Sequence, residues 1–559
     1  MKLTDLLTNY WEYILEQMPT FATYIGDHRY NSRLEDLSED ALDKQARHFK
    51  SLLDDAERID ENELTDDDKL NLHMIKKSIN NQVRMHEYKT HFIPLDQMQG
   101  PHLDFPQIIE FHPFRNINDI EDYISRLNAF STQIDQVIDL LRKGIDQKIV
   151  AYRKVIEHTI TQVETFSKLT SEQSPMFSPV SKIKEILPEK DLEKLSGSIK
   201  ESIESKVTPA YKKLLEYLSK DYINHCRDEE GLWALPKGKD MYGFYVQYHT
   251  TTSLSPEEIH NIGKSEVARI SSEIKTIMGK VGFSGSIRGF ADYMKARKDQ
   301  YPETSSEILE GYKEILTHMD KKLPDFFGHL PEAKYDIKAI EEYREQAAPA
   351  AYYYPPPQDF SRPGYFYANT YKPEQRPKFI MEALAYHEAV PGHHLQIAIM
   401  QEQKEMPDFR RHEGSTAFIE GWALYAEKLS KEMGFYLDDF SEYGRLTMEI
   451  WRAVRLVVDT GLHYYKWTRD EAIEYCKENS GEDEHEIEVE VDRYIAMPGQ
   501  ALAYKVGELR ILELRDKAKK SLGSDFNIMH FHDSLLEKGA LPLYELERVM
   551  TNWIKEQKD

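Results

Sequence analysis

Cysteine is almost absent from this chain. The two that occur, Cys226 and Cys476, are far apart in sequence, and neither belongs to a paired-cysteine motif. Isolated thiols of this kind provide neither a disulfide framework nor a thiolate zinc site. We therefore expect the chain to work in a reducing compartment, the cytoplasm.

Long apolar runs are also missing. No window approaches the roughly 20 apolar residues that a membrane-spanning helix needs. At the N-terminus, Asp5 stands where a signal peptide would carry basic residues, and Glu12 and Glu16 interrupt the apolar stretch that follows. The sequence thus predicts a cytoplasmic location and no membrane partner.

Basic residues are fewer than acidic residues in this chain. Lys and Arg total 72 residues against 97 Asp and Glu, which gives a formal net charge of -25. Such a surface repels phosphate backbones and anionic lipid headgroups within the Debye length, so we expect no nucleic-acid partner. With 40% hydrophobic residues, the chain still has ample material for a folded core.

Apolar residues recur at helical spacing through most of the chain. Between residues 134 and 145, five of them fall at the i, i+3, i+4, i+7 positions of one helix face, and the pattern returns at 195–223, 266–281 and 543–557. No internal repeat and no flexible linker divides the sequence. We predict a mainly α protein of long helices that forms a single catalytic unit, residues 1–559, of one or two lobes.

Proline and tyrosine dominate one segment, residues 348–370. Three consecutive prolines at 355–357 and the Pro363-Gly364 pair forbid a helix and favour extended chain. We predict a small β element here. The segment is either a structured surface loop or a strand whose backbone and aromatic side chains meet an extended substrate.

A His-Glu pair followed by two more histidines supplies the groups of a hydrolytic zinc site. In the common motif, the second histidine comes four residues after the first, so that both imidazoles reach the ion from one helix face. Four residues after His387, however, the sequence has Pro391. In a straight helix His393 would point away from His387, and His394 would lie about 10 Å along the axis.

Pro391 and Gly392 suggest how the chain resolves this conflict. Proline breaks the helix and glycine tolerates unusual backbone angles, so an enlarged turn would return a later histidine to the side of His387. The Gly392-His393 pair matches the glycine-histidine pair of many zincin motifs, which favours His393 as the second ligand. His394 would then pack behind the site, although the sequence leaves either histidine open as the ligand.

A buried carboxylate is predicted downstream. Glu420 lies in the middle of an apolar helical pattern, between Phe418 and Trp422. An ionised carboxylate in such surroundings needs a partner, and a zinc ion would be one. Glu427, seven residues on, would orient a ligating histidine. The alternative is that both glutamates lie on a solvated helix face.

Later segments offer groups for the rest of the site. Asp459 and His463 are four residues apart on one helix face, so Asp459 would orient His463 to donate a hydrogen bond to an oxyanion. Other side chains able to donate to an oxyanion or bind a peptide carboxylate are Tyr494, Tyr504, Lys505, Arg455 and Arg493. The two arginines are equally compatible with structural ion pairs.

These motifs resemble a bacterial family, domain of unknown function 885 (DUF885), which is grouped by similarity with the zincin metallopeptidases. The resemblance covers most of the chain and is carried by "YHEAVPGHHLQ" at 386–396, "FIEGWALYAEKL" at 418–429, "RLVVDTGLH" at 455–463, "RYIAMPGQALAYKVGELR" at 493–510 and "SRPGYFYANT" at 361–370.

The resemblance implies a large, mainly helical zincin-like fold, similar to neurolysin and carboxypeptidase Taq, with a central cleft and a small β element. It places the metal site and cleft in residues 348–510. It also implies that two histidines and one glutamate, matched here by His387, His393 and Glu420, hold the metal.

Together these features predict a zinc-dependent metallopeptidase that hydrolyses short peptides and binds one Zn²⁺ per chain. Glu388 would be the general base, and His463 or Tyr504 would stabilise the oxyanion. The alternatives are a metal-dependent amide or ester hydrolase with a non-peptide substrate, and an inactive helical binding protein. The sequence leaves open another divalent ion and the oligomeric state.

Overall fold

Two compact helical units make up the chain, residues 1–238 and 239–559. The computed structural model describes residues 1–341, 345, 348–357, 360 and 362–558. The prediction of a mainly α protein is confirmed. None of the described helices is both long and apolar enough to cross a membrane. In the predicted 348–370 segment, Gln358, Asp359 and Ser361 lie outside the described residues.

The first unit is built from helices around one apolar core. The helices are α1 Leu3–Gln17, α2 Pro19–Tyr24, α3 Glu39–Glu57, α4 Asp66–Glu87, α5 Pro101–Phe111, α6 Ile117–Gln147, α7 Arg153–Lys168, α8 Pro179–Ile183, α9 Glu189–Ser202 and α10 Thr208–Lys220. The stripe predicted from helical spacing is buried on α6, where Ile134, Val137 and Leu141 are fully enclosed in the core. A π-helical turn, Ile203–Val207, joins α9 to α10.

The second unit holds the predicted metal motif. Its helices are α11 Gly238–Thr250, which begins at the unit boundary, α12 Pro256–Lys280, α13 Ile287–Lys295, α14 Ser305–Lys322, α15 Lys378–Glu388, α16 His393–Glu402, α17 Asp408–His412, α18 Thr416–Glu432, α19 Asp439–His463, α20 Arg469–Asn479, α21 Glu484–Ala496, α22 Ala503–Leu522, α23 Ile528–Leu536 and α24 Leu543–Glu556. From residue 453 to residue 463, every side chain of α19 is buried.

A small sheet precedes the metal motif. Its strands are β1 Tyr335–Ala339, β2 Ala351–Tyr354 and β3 Gly364–Ala368, in the order β1-β3-β2. β3 is parallel to β1 and antiparallel to β2. β2 and β3 fall in the segment for which the sequence predicts a β element, whereas β1 was not predicted.

Glycines let the helices around the motif touch backbone to backbone. A Cβ on Gly507 of α22 would lie 1.8 Å from the carbonyl oxygen of Ala417 in α18, and one on Gly421 would lie 2.5 Å from Gly507 Cα. Similarly, a Cβ on Gly444 of α19 would lie 1.7 Å from the carbonyl oxygen of Phe379 in α15. Both helix pairs therefore require glycine at their contact.

Substitution of Gly507 by alanine tests this packing. In an open helix the change is favourable, but here the methyl group must push α22 away from α18. We expect Gly507→Ala to lower the free energy of unfolding by about 1–3 kcal/mol, measured by urea denaturation. Gly197→Ala is the matched control, because a Cβ there meets no described atom within 4 Å and should stabilise α9 by about 0.5–1 kcal/mol. Equal effects of the two substitutions would contradict the close contact.

Candidate metal centre

The helix is interrupted by an enlarged turn between the two motif histidines, where the His394 N–H donates to the Ala389 carbonyl oxygen over 3.0 Å. α15 ends at Glu388 and α16 begins at His393, and the turn between them contains the cis Val390–Pro391 peptide bond. As a result the rings of His387 and His393 lie beside each other, with centroids 4.8 Å apart and planes at 86°. Imidazoles six positions apart are thus brought together by a break between two helices.

Gly392 makes this enlarged turn sterically feasible. A Cβ at this position would lie 1.9 Å from the carbonyl oxygen of His387 and 2.3 Å from that of Tyr386. Any other residue would collide with this backbone. The turn is also anchored from outside, because the Trp422 indole N–H donates to the carbonyl oxygen of Pro391 over 2.8 Å.

Both histidines approach the same carboxylate oxygen on α18. The Oε2 atom of Glu420 lies 3.6 Å from His387 Nε2 and 3.8 Å from His393 Nε2. A tetrahedral zinc ion bound about 2.0–2.1 Å from each donor would space the donors about 3.4 Å apart, so the observed spacing suits a shared ion after a small contraction. Two imidazoles and one carboxylate are also a donor set that zinc accepts.

The electrostatics of the group call for a cation. Burial alone would raise the pKa of Glu420, but His387 and His393 lower it to about 2, so the carboxylate is ionised. Its Oε2 atom is nonetheless buried without a hydrogen-bond partner in the described part of the chain. Such an atom is expensive to leave unsatisfied. A metal ion at this point would satisfy it.

Glu427 orients the first histidine. Its Oε1 atom lies 2.7 Å from His387 Nδ1, and the residue is 2% exposed. Burial opposes protonation of His387, but the carboxylates of Glu420 and Glu427 raise its pKa to about 9. Hydrogen bonding at Nδ1 directs Nε2 towards Glu420, which is how carboxylates orient metal-binding histidines.

His394 faces away from the group. Its Nε2 atom lies 3.2 Å from the Ala333 carbonyl oxygen, to which it donates, and its Nδ1 atom accepts from the Tyr353 hydroxyl over 2.8 Å. Both ring nitrogens are therefore engaged elsewhere. Of the two later histidines, His393 is the one that the turn brings to Glu420.

Glu388 lies beside the two histidines. Ligand atoms of His387, Glu388 and His393 lie within 4.8 Å of one another. Burial raises the pKa of Glu388 to about 7, although the charges of His387 and Arg452 act to lower it. The backbone N–H of Tyr353 in β2 donates to its carboxylate. A base with a pKa near neutrality, fixed by a strand, is suited to proton transfer.

The candidate side chains from the later segments of the sequence belong to separate networks of ion pairs and hydrogen bonds. Arg455 pairs with Glu490 over 3.0 Å and donates to the Tyr494 hydroxyl, which in turn donates to Glu490. Arg493 also pairs with Glu490. Lys505 donates to the carboxylates of Glu449 and Glu508 in a fully buried ion cluster.

Asp459 and His463 have different partners from those expected. The Asp459 carboxylate accepts hydrogen bonds from the Tyr242 hydroxyl and the Gly499 backbone N–H rather than from His463. His463 Nε2 lies 3.0 Å from the carbonyl oxygen of Tyr494. The idea that Asp459 orients His463 for an oxyanion is therefore not supported by these contacts.

Tyr504 is half-buried and close enough to Glu420 to be influenced by its charge. Burial and the negative charge of Glu420 raise the pKa of its hydroxyl, while Arg455, whose guanidinium lies 4.7 Å from the Tyr504 ring centre, opposes the shift. The hydroxyl therefore stays protonated at neutral pH and can donate a hydrogen bond.

Sequence reasoning missed two residues here. Tyr353 contacts both Glu388 and His394 from β2, and the charge of Arg452 acts on Glu388 and His393. Tyr353 lies in the tyrosine-rich segment that was singled out for a substrate contact, which was a partial signal. Arg452 lies outside every quoted motif, three residues before "RLVVDTGLH".

A family model and solved structures match nearly the whole chain. The model of a family described as bacterial proteins of unknown function, DUF885, matches residues 19–550. The chain belongs to the DUF885 family. No curated protein matches this DUF885 chain.

Two solved structures are similar to the DUF885 protein. One, called a "putative lipoprotein" from Colwellia psychrerythraea, is 30% identical with a TM-score of 0.94 and covers 99% of each chain. The other, a "putative lipoprotein of unknown function" from Shewanella oneidensis, is 16% identical with a TM-score of 0.76 and covers 99% of this chain and 100% of its own. At that identity the second match shows the fold alone.

Replacement of each later histidine by alanine tests the assignment of the ligands. We expect His393→Ala to weaken zinc binding by the DUF885 protein at least 100-fold, because one of three donors is lost, and His394→Ala to retain stoichiometric zinc. Metal content after dialysis against a zinc buffer measures both. Zinc loss in His394→Ala with retention in His393→Ala would contradict the assignment.

Proposed function

We propose that this DUF885 protein is a zinc-dependent metallopeptidase that hydrolyses short peptides. The observation that carries the proposal is the approach of two imidazole nitrogens to a buried, ionised and unsatisfied oxygen of Glu420. Its three protein donors leave a position for water, as in catalytic rather than structural zinc sites. Glu388 beside them provides the base that a structural site would not need.

The zincin-like fold is part of this proposal. A helix carrying a His-Glu pair, a second helix carrying the glutamate ligand and a small sheet beside the base agree with that fold. β2 forms an edge of the sheet, and its Tyr353 N–H meets Glu388. A peptide bound in extended conformation along this edge would present its carbonyl groups to the site.

His387, His393 and Glu420 would hold the ion. When bound, zinc supplies Lewis-acid activation of water and of the substrate carbonyl. Glu427 holds the His387 ring with Nε2 directed towards Glu420, and the turn at Gly392 places the His393 ring beside it.

Glu388 moves the protons of the reaction. Its carboxylate takes a proton from the attacking water, whose oxygen bonds to the carbonyl carbon of the peptide. It then delivers that proton to the amide nitrogen as the C–N bond breaks, which releases a carboxylic acid and an amine. The Tyr353 N–H holds the carboxylate in place, and burial raises its pKa to about 7, so that it can both accept and donate.

Tyr504 is the favoured donor to the developing oxyanion. Its hydroxyl remains protonated at neutral pH because burial and Glu420 raise its pKa. His463 is the weaker candidate, since it is 1% exposed and its Nε2 atom is engaged with the Tyr494 carbonyl. A neutral hydrogen-bond donor aimed at the oxyanion contributes about 10²–10³-fold in rate.

Glu388→Gln tests the proposed activity. The amide keeps the size of the side chain but cannot accept a proton, so we expect zinc to be retained and kcat for peptide hydrolysis to fall at least 100-fold. The assay is a mass-spectrometric screen of a short-peptide library with zinc-loaded wild type and variant.

Ester and non-peptide amide panels run beside the library. Cleavage of substrates in those panels alone would show that the protein is a different metal-dependent hydrolase and not a peptidase. Zinc-loaded wild type without activity on any panel would contradict catalysis and favour a binding protein.

A further inference from the structure

One buried arginine, Arg452, has no carboxylate partner among the residues that the structure describes. Arg452 lies on α19 and is 7% exposed, and its Nη1 atom contacts the backbone oxygen and the sulfur of Met448 over 3.1 and 3.3 Å. Its Nε atom is buried without a hydrogen-bond partner, and no ion pair joins Arg452 to any acidic residue in the described part of the chain. Buried guanidinium groups are normally paired.

Other arginines of α19 follow that norm. Arg445 pairs with Glu442 and Glu449, each over 2.7 Å, and Arg455 pairs with Glu490 over 3.0 Å. Arg452 lies between them on the same helix. Among the arginines of α19, Arg452 is the one that has no carboxylate partner in the described part of the chain.

The charge of Arg452 reaches the proposed zinc site. α19 touches α15 where Gly444 meets the backbone of Phe379, and Arg452 is eight residues, about 12 Å, further along α19. The guanidinium charge acts on both Glu388 and His393, so it lies within electrostatic range of the base and a proposed ligand. It also acts on Glu482, for which Lys295 is the stronger cation.

We propose that Arg452 binds a carboxylate of the substrate, either the C-terminal carboxylate of a short peptide or an acidic side chain next to the cleaved bond. This inference rests on the proposed peptidase function and narrows its substrate class. Its basis is a buried guanidinium that has no carboxylate partner among the described residues and whose charge acts on Glu388. A guanidinium presents a planar fork of donors that matches a carboxylate, and the bond is strong where water is excluded. Arg455 and Arg493 are unsuited to this role, because Glu490 already occupies both.

The test measures binding separately from hydrolysis. The probes are three N-methylated tripeptides that resist cleavage: a neutral sequence with a free C-terminus, the same sequence as the C-terminal amide, and an amide with a glutamate side chain. Calorimetry gives the Kd of each for zinc-loaded wild type, Arg452→Met and Arg452→Lys. The first probe reports the C-terminal carboxylate, and the third reports an acidic side chain.

We expect wild type to bind one of the two carboxylate probes about 10- to 100-fold more tightly than the neutral amide. Arg452→Met should abolish that preference without changing the affinity for the neutral amide, and Arg452→Lys should retain part of it. The melting temperature of Arg452→Met should be unchanged or higher, because the substitution removes an unpaired buried charge. Arg455→Met, the matched control, should lower the melting temperature and leave the preference in place.

Equal binding of all three probes by wild type would overturn the inference, as would equal weakening of acid and amide in Arg452→Met. If hydrolysis still depends on Glu388, either result would reject the carboxylate contact and leave the proposed peptidase function in place. Binding that depends on Arg452, without hydrolysis of any peptide, would reject the proposed catalysis and leave the binding site in place.

Discussion

The candidate metal centre depends on one close backbone contact. At Gly392 the chain passes so near the carbonyl oxygens of Tyr386 and His387 that a Cβ atom would lie 2.3 and 1.9 Å from them, well inside van der Waals contact. This contact lets α16 start at His393, immediately beside the end of α15. Without it, the two imidazoles would occupy different faces of one helix, and Glu420 would have no pair of nitrogens to approach.

Charge accounts for the rest of the site. Glu420 and Glu427 are both largely buried, and each is placed against an imidazole nitrogen of His387. Isolated buried carboxylates would be strongly destabilising, so their position is explained only by cationic partners. The histidines supply part of the positive charge that stabilises these carboxylates, and a metal ion between them would supply the rest. The Gly421–Gly507 contact holds α18, and so Glu420, close to α22.

Much of this arrangement could be predicted from residue types and spacing. Proline at the position of the usual second histidine pointed to a break in the helix, and the following glycine indicated a tight turn. Glu420 stood out because it interrupts an apolar pattern, and helical periodicity located the long helices. These are local signals, and each was read within a window of about ten residues.

The contacts that sequence did not reveal are long-range. Asp459 lies one turn from His463, yet it bonds Tyr242, more than 200 residues away. Arg455 and Arg452 look alike in sequence, and only the arrival of Glu490 from α21 shows that one is paired. β1 was missed because its alternation is short, and Tyr353 because a backbone N–H leaves no trace in the side-chain pattern. Packing between elements far apart in sequence decides the partners of Asp459 and of the two arginines.

The most direct measurement is the location of zinc by anomalous X-ray diffraction at its absorption edge, using crystals of the zinc-loaded protein. The account predicts one strong peak per chain, about 2.0–2.2 Å from His387 Nε2, His393 Nε2 and a Glu420 oxygen. A peak at another group of residues, or an empty space between these three in protein that contains stoichiometric zinc, would contradict it.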